Sequence, residues 1–336
     1  MPVLCLLFRK PNDRFFSIER IFTQLGAALS SNFQVEKVQL PQYTSLAKIP
    51  TNLRYARGLK ADRKLKADVF HVTGDVHYAV LSLPRNRTLL TIHDCVFLHT
   101  YSGLKRLIIR KLFLDWPVNR CRIVTTISES SKQEIIKATG CSPEKIRVIP
   151  NPVAEQVYYE PSIFNEKTPN LLFIGITPNK NLERTIRALE GLSCVLNIIG
   201  PLPAHIPALL EAAKIRYTNS YNLSDQQLAE QYRKADIVLF PSTYEGFGMP
   251  IVEGQQAGRP VITSNLSPMK DVAGEGACLI DPYDSDNIRD AVVKVTRNRV
   301  YREDLVKKGF ENVKRFSPGR IASLYESCYN ELLESK

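Results

Sequence analysis

Six apolar strand segments followed by six more, with helical periodicity in most of the gaps, predict an α/β protein. The expected architecture is two Rossmann-like, doubly wound domains facing each other across a cleft. The run Asp236–Ser242 is continuously apolar rather than alternating, as a strand covered on both faces of a parallel sheet must be. A chain of 336 residues is long enough for two domains of ordinary size, each with its own core. Its 44% hydrophobic and 24% charged content is that of a globular protein.

In the first half the runs are Pro2–Phe8, Val35–Leu40, Ala67–Thr73, Thr88–Asp94, Arg122–Ser128 and Ile146–Asn151. In the second they are Asn170–Ile176, Cys194–Gly200, Lys214–Ser220, Asp236–Ser242, Pro260–Asn265 and Ala277–Pro282. Asn151-Pro152 and the polar stretch Glu160 to Pro169 read as a linker. Domains are therefore expected at 1–155 and 156–316, with a last helix over 317–336 after Ser317-Pro318. Ligands of doubly wound domains sit at the carboxyl ends of the strands, which puts the expected site in the cleft. Neither half carries Gly-x-Gly-x-x-Gly after a strand, and this weighs against a nicotinamide-dependent dehydrogenase.

The net charge of +11 is unevenly placed. Residues 1–160 hold 24 Lys/Arg against 13 Asp/Glu, whereas residues 161–336 hold 21 of each. The excess gathers at Arg54, Arg57, Lys60, Arg63, Lys64 and Lys66, and again at Lys105, Arg106, Arg110, Lys111, Arg120 and Arg122. Such clusters attract phosphate-rich partners, an anionic leaflet or nucleic acid, although each alone also reads as a solvated helix face. Seven scattered cysteines without a Cys-x-x-Cys pair argue against a zinc site or a disulfide framework and read as reduced thiols. Val3 to Phe8 is too short for a signal-peptide core or a membrane span. A cytoplasmic location is expected, with peripheral contact at the inner face of the membrane.

The most informative segment is Glu245-Gly-Phe-Gly-Met-Pro-Ile-Val-Glu253, which follows the buried run Asp236-Ile-Val-Leu-Phe-Pro-Ser242. The glycines thus lie at a strand's carboxyl end, and Pro250 suits the first turn of a short helix of about 250 to 257. Free N–H groups and the positive dipole end of that helix would face an anion over Gly246 to Gly248. Glu253 lies one turn inside, where its side chain leans back toward the same pocket. Carboxylates beside a phosphate cradle are natural acceptors for the vicinal hydroxyls of a ribose or hexose, so the ligand implied is a nucleotide sugar. The bland alternative is a helix-capping turn with two solvated glutamates.

Pro-Ser-x-x-Glu-Gly-Phe-Gly-x-Pro with a second Glu, running from Pro241 to Glu253, resembles the retaining glycosyltransferases of family 4, the "group 1" type with the GT-B fold. The resemblance implies that Glu245 contacts the donor sugar, that the Gly246-Phe247-Gly248 backbone holds the diphosphate, and that Glu253 holds the ribose. Thr91-Ile-His93-Asp94 closes a strand and matches the family's His-Asp element, so His93 is expected near the reacting centre of the donor sugar. His71 and His77 match no motif. Gly175-Ile-Thr-Pro-Asn-Lys180 resembles the loop in which a lysine neutralises the diphosphate, which makes Lys180 the candidate for leaving-group stabilisation. Relatives often carry an arginine there, and Asn179 takes that place here. Leu223 begins a segment that looks like the one near the nucleotide base. Proteins of this type also fold their last helix back onto the first domain.

Two departures from the pattern bear on the chemistry. After the first strand relatives have a Gly-Gly turn, whereas this chain has Arg9-Lys-Pro-Asn-Asp-Arg-Phe-Phe-Ser17-Ile-Glu-Arg20. Ser17 is placed to cap the following helix, and acceptor geometry is expected to differ. Asp284-Ser-Asp286 spells a metal-binding Asp-x-Asp, but it stands before the helical pattern Asn287 to Val295, where acids cap a helix. A metal-independent reaction without cofactor is therefore expected, with Lys180 and backbone N–H groups supplying the positive field.

The expectation is a hexosyltransferase acting from a nucleoside-diphosphate sugar on a glycan or lipid-linked acceptor, with retention, in cell-surface polysaccharide synthesis. Catalysis is assigned to His93, Glu245 and Lys180, and donor binding to Gly175, Lys180, Leu223, Glu245, Gly246, Phe247, Gly248 and Glu253. Rivals are a nucleotide-sugar epimerase or phosphorylase on a similar frame, and a basic nucleic-acid-binding protein. The aromatics near the basic clusters lack the interleaved stacking pattern that the last requires, so nucleic acid is not an expected partner.

Overall fold

A computed structural model describes residues 1–10, 17–43, 45–59, 61–62, 65–97 and 101–334. All twelve expected strands form: β1 (Val3–Phe8), β2 (Gln34–Gln39), β3 (Val69–Val72), β4 (Thr88–Ile92), β5 (Ile123–Thr126) and β6 (Ile146–Val148) in the first half. The second half holds β7 (Asn170–Ile174), β8 (Val195–Ile199), β9 (Arg216–Ser220), β10 (Ile237–Phe240), β11 (Val261–Ser264) and β12 (Ala277–Ile280). The chain divides into two compact units, residues 1–152 with 318–336 and residues 153–317. The helix Pro318–Glu334 therefore belongs to the first unit.

In the first unit the sheet runs β2-β1-β3-β4-β5-β6 and every pairing is parallel. Successive side chains of β1 go to opposite cores because the strand period is two. Leu4, Leu6 and Phe8 meet the helix Ser17–Leu29 and the C-terminal helix, through Phe22, Leu25, Tyr325, Tyr329 and Leu332. Cys5 and Leu7 face the second core, with Phe70, Leu90, Val124 and the helix Ile49–Leu59. Both faces of β1, β3 and β4 are covered, which is why those strands are predominantly apolar, whereas β2, at the sheet edge, is partly exposed and carries Gln34, Glu36, Lys37 and Gln39.

The second unit has the order β12-β11-β10-β7-β8-β9, again all parallel. Read from the other edge, this is the order of the dinucleotide-binding doubly wound fold. One of its cores joins Leu171, Phe173, Leu196, Ile198 and Leu239 to residues of the helices Leu182–Leu189, Ile206–Ala212 and Ser285–Arg297. Asp284 accepts hydrogen bonds from the N–H groups of Asp286 and Asn287 and is the N-cap of the last of these, so the Asp-x-Asp spelling marks a helix start.

The expected cap at Ser17 and the basic positions Lys60, Arg63 and Lys64 lie outside the described residues and side chains. Among the described residues no helix is long and apolar enough to cross a membrane, and no disulfide forms, since all seven cysteines are free.

His71, on β3, is fully enclosed and links three elements: its Nδ1 lies 2.8 Å from Tyr329 Oη and its Nε2 2.7 Å from Thr91 Oγ1. Thr91 Oγ1 in turn lies 2.6 Å from Thr125 Oγ1. This network ties the last helix to the middle of the sheet. Tyr329→Phe would leave one imidazole nitrogen buried without a partner, and should destabilise the first unit by about 1–3 kcal/mol in urea unfolding. An unchanged midpoint would show that the helix is held by apolar packing alone.

Candidate active site

In a doubly wound sheet the loops at the carboxyl ends diverge where the strand order reverses. In the second unit that point lies between β7 and β10. The loop after β7 begins at Gly175, whose φ of +93° is accessible to glycine at little cost. A Cβ there would stand 2.8 Å from Lys180 Cε, so the lysine stem folds directly over the glycine. Lys180 ends a tight 3-10 turn, Pro178–Lys180, and its Nζ donates to Glu245 Oε1 at 2.5 Å while lying 4.7 Å above the Phe240 ring.

The two loops are stitched together around this pair. Thr243 N donates to Asn179 O at 2.8 Å, and Asn179 Nδ2 donates to Tyr244 O at 2.9 Å and to Glu245 Oε1 at 3.4 Å. Asn179 thus holds oxygens of the facing loop. Asn181, buried and left-handed at φ 70°, donates to Pro241 O and Pro282 O and fixes the start of the next helix. Lys180 and Glu245 are mostly enclosed, with 19% and 14% of their side chains exposed.

The glycine turn adjoins this pair. Gly248 has φ +105° and serves as the N-cap of the helix Met249–Gln256, with Pro250 in its first turn. A Cβ at Gly248 would meet Ile251 Cδ1 at 2.9 Å. Phe247 is buried and packs edge-on against Phe316, which anchors the turn from below. Glu253 is more enclosed than its expected place beside an open pocket implies. It is 3% exposed, and its Oε2 accepts from Tyr232 Oη at 2.6 Å. Tyr232, on the helix Asp225–Lys234, is a supporting residue that sequence reasoning missed, because a buried tyrosine in a helical pattern reads as core. Leu223 precedes that helix, half-buried, at a shallow groove shared with Ser224, Gln227 and Gln231.

His93 belongs to the first unit, where the strand order reverses between β1 and β3. It follows β4 and its Nε2 donates to Thr73 O at 2.8 Å. Gly74, at φ +142°, makes room for the ring, since a Cβ would stand 2.7 Å from His93 Cδ2. Arg9, at the end of β1, is gripped by both carboxylate oxygens of Glu19 and also pairs with Asp75. A cavity of about 530 Å³ opens among these residues, lined by Asp75, His77, His93, Asp94, Phe97 and Phe113 with Tyr101, Lys105 and Ile109. His77, which matched no motif, shares it, whereas His71 lies in the core. Burial lowers the pKa of His77 and of His93 and lowers that of His71 to about 3, so all three rings are neutral near pH 7.

Among the described residues no group of three or more His, Cys, Asp or Glu converges as a metal site would require.

Comparison with known proteins places these clusters in a family. A model described as "Glycosyl transferases group 1" matches residues 157–312, and one described as "Glycosyltransferase Family 4" matches residues 18–157. The chain is 30% identical over 225 residues to the O-antigen chain mannosyltransferase RfbU of Salmonella typhimurium, covering 64% of this chain and 62% of the relative. It is 25% identical over 276 residues to the O-antigen chain mannosyltransferase B of Escherichia coli, covering 74% and 70%. Its fold is shared with sucrose-phosphate synthase of Thermosynechococcus elongatus, with a TM-score of 0.78 at 18% identity over 99% of this chain and all of that one.

The enclosed histidines make stability depend on acid. Their folded pKa values lie below the unfolded value of about 6.5, so protons bind the unfolded state more readily. The stabilisation is complete above about pH 6.5 and is lost as pH falls toward 3. His71 should remove up to about 1.4 kcal/mol per pH unit within that window, with His77 and His93 acting in the same direction, read as a falling urea midpoint that His71→Phe flattens. An equal slope in that variant would refute the assignment.

Proposed function

This chain belongs to the group 1 glycosyltransferases of family 4, and on that premise we propose that it moves a hexosyl group from a nucleoside-diphosphate sugar to a glycan or lipid-linked acceptor. The observation that carries the reading is the Lys180–Glu245 pair at the reversal point of the second sheet, beside the amino end of the helix Met249–Gln256. A cation, a carboxylate and the backbone of a glycine turn at a helix start in one place suit a ligand that presents phosphate and hydroxyls together.

In the proposed reaction the diphosphate takes Lys180 and the helix N–H groups as donors, and these carry the charge that develops as it leaves. Glu245, released from the lysine, accepts hydroxyls of the donor sugar. Glu253, steadied by Tyr232, accepts from the ribose. His93 stays neutral and holds the sugar near its reacting carbon. No metal is invoked, since Asp284 is engaged as a helix cap and Lys180 supplies the positive field. Retention at the anomeric carbon is part of the proposal on the family resemblance alone, and the names of the two curated relatives favour a role in cell-surface polysaccharide synthesis with mannose as the hexose.

The acceptor side is assigned to the first unit, with contact to an anionic membrane. The helix Gly103–Arg110 supports this: Leu104 is 72% exposed, Leu107 57% and Ile108 40%, alongside Lys105, Arg106 and Arg110. Apolar side chains bare among lysines and arginines are the pattern of a helix that lies in a lipid interface.

Two measurements test the proposal. In a thermal-shift panel of UDP-, GDP-, ADP- and dTDP-sugars, one donor at a hundredfold its Kd should add about 2.7 kcal/mol of stability. With that donor, Lys180→Ala should lower turnover about 10²–10³-fold, and wild-type turnover would remove Lys180 from the mechanism. Separately, the protein should sediment with anionic liposomes at low salt, and Leu104→Asn with Leu107→Asn should weaken this at least tenfold. Failure of the wild type to bind would end the membrane assignment.

A further inference from the structure

The amino ends of the first sheet are basic. β4, β5 and β6 are neighbours and run parallel, so these ends lie side by side, opposite the ends from which His93 projects. The segments that lead into the three strands, 84–88, 119–123 and 142–147, carry Arg85, Arg87, Arg120, Arg122, Lys145 and Arg147 against one acid, Glu144. The last helix answers two of these charges: Glu331 lies 3.8 Å from Arg122 and 3.5 Å from Arg147. Among the described residues no carboxylate pairs with Arg85, Arg87, Arg120 or Lys145.

Their contacts are to carbonyls instead. Arg120 Nη2 donates to Leu83 O at 3.2 Å, two residues before Arg85, and Lys145 Nζ donates to Asn119 O at 3.2 Å, next to Arg120. These bonds draw the three segments together and leave the positive charges unanswered. Arg120 Nε is buried and has no acceptor among the described residues. A buried donor left unmade is costly, the more so on a cation. Burial lowers the pKa of Lys145, and Arg85 pushes it the same way, against the Cys121 and Cys141 thiols. Lys145, Arg120 and Arg85 also all act on the buried thiol of Cys121, which places them around a common point.

Two guanidinium groups and an ammonium about one point suit a compact anion of more than one charge. A phosphoryl group fits, because its oxygens meet planar forks and a point charge from several directions. None of the exposed large apolar side chains among the described residues belongs to these segments, so the surface lacks the anchors of a lipid interface. We propose that the amino ends of β4, β5 and β6 form a phosphoryl-anion site, filled by inorganic phosphate or a soluble phosphomonoester and held by Arg85, Arg120 and Lys145. The site does not depend on the transferase reading.

Isothermal titration of the full chain with inorganic phosphate and with methyl phosphate, at constant ionic strength in chloride, tests this. Both should bind, and acetate should not compete. Arg120→Met and Arg85→Met remove the guanidinium and keep a linear stem, and each should weaken phosphate about tenfold or more, as loss of a charged hydrogen bond predicts. Arg85 is exposed, so its replacement spares the fold, and thermal melting in chloride verifies Arg120→Met. The binding should persist in Lys180→Ala protein, where the donor loop no longer competes. Binding lost in Lys180→Ala and untouched by Arg85→Met and Arg120→Met would put the phosphate at the donor loop and overturn the site, as would no binding of either phosphate. Sedimentation with phosphatidate vesicles separates the lipid source: both arginine variants should sediment as the wild type does. Vesicle binding that falls with Arg85→Met while free phosphate stays unbound would overturn the soluble ligand.

Discussion

A parallel sheet covered on both faces can meet solvent only along its edges and at the ends of its strands, and the placement of chemistry in this protein follows from that. In both units the strand interiors are apolar on each side, so polar side chains appear where the chain leaves the sheet. The loops at the carboxyl ends diverge most where the strand order reverses, between β1 and β3 and between β7 and β10. Lys180 and Glu245 stand at one of these points and Arg9, Asp75 and His93 at the other. The polar side chains that do lie inside the sheets are hydrogen-bonded, as with His71, Thr91 and Thr125 in the first unit and Asn197 in the second.

Glycines at these loops act through space as much as through backbone freedom. Gly175 lets the stem of Lys180 lie against the main chain, and Gly74 does the same for His93. In each case a functional side chain occupies the volume where a Cβ would be. Position is thus enforced by contact with backbone, which moves less than another side chain would. The pairing of Lys180 with Glu245 then holds two opposite charges at hydrogen-bond distance in a mostly enclosed place, so each screens the other.

The two units differ in electrical character. The balanced second unit keeps its key cation in a local pair, whereas the basic first unit spreads lysine and arginine over helices such as Gly103–Arg110. One face of that helix turns Lys105 and Ile109 into the cavity, and Leu104 and Leu107 remain in water. A single element therefore joins this exposed apolar surface to the cavity.

Much of this was legible in the sequence. The strand segments were enough to place every strand, most clearly the central ones, where burial on both faces leaves a signal that needs no partner to be read; β2 and β9, partly exposed at the sheet edges, carry mostly polar residues. The glycine turn from Glu245 to Gly248 stood out by its place after a strand and Gly175 and Lys180 by resemblance to a family motif, and the structure brings Lys180 and Glu245 into contact. Tyr232 behind Glu253 was not, nor was the sharing of one cavity by His77, His93, Phe97 and Phe113. Those depend on which residues distant in the chain become neighbours, and on which imidazole nitrogen faces a carbonyl. Local periodicity determines strands and turns; only the tertiary packing decides tautomers, partners and enclosure, because these are set by contacts that carry no local pattern.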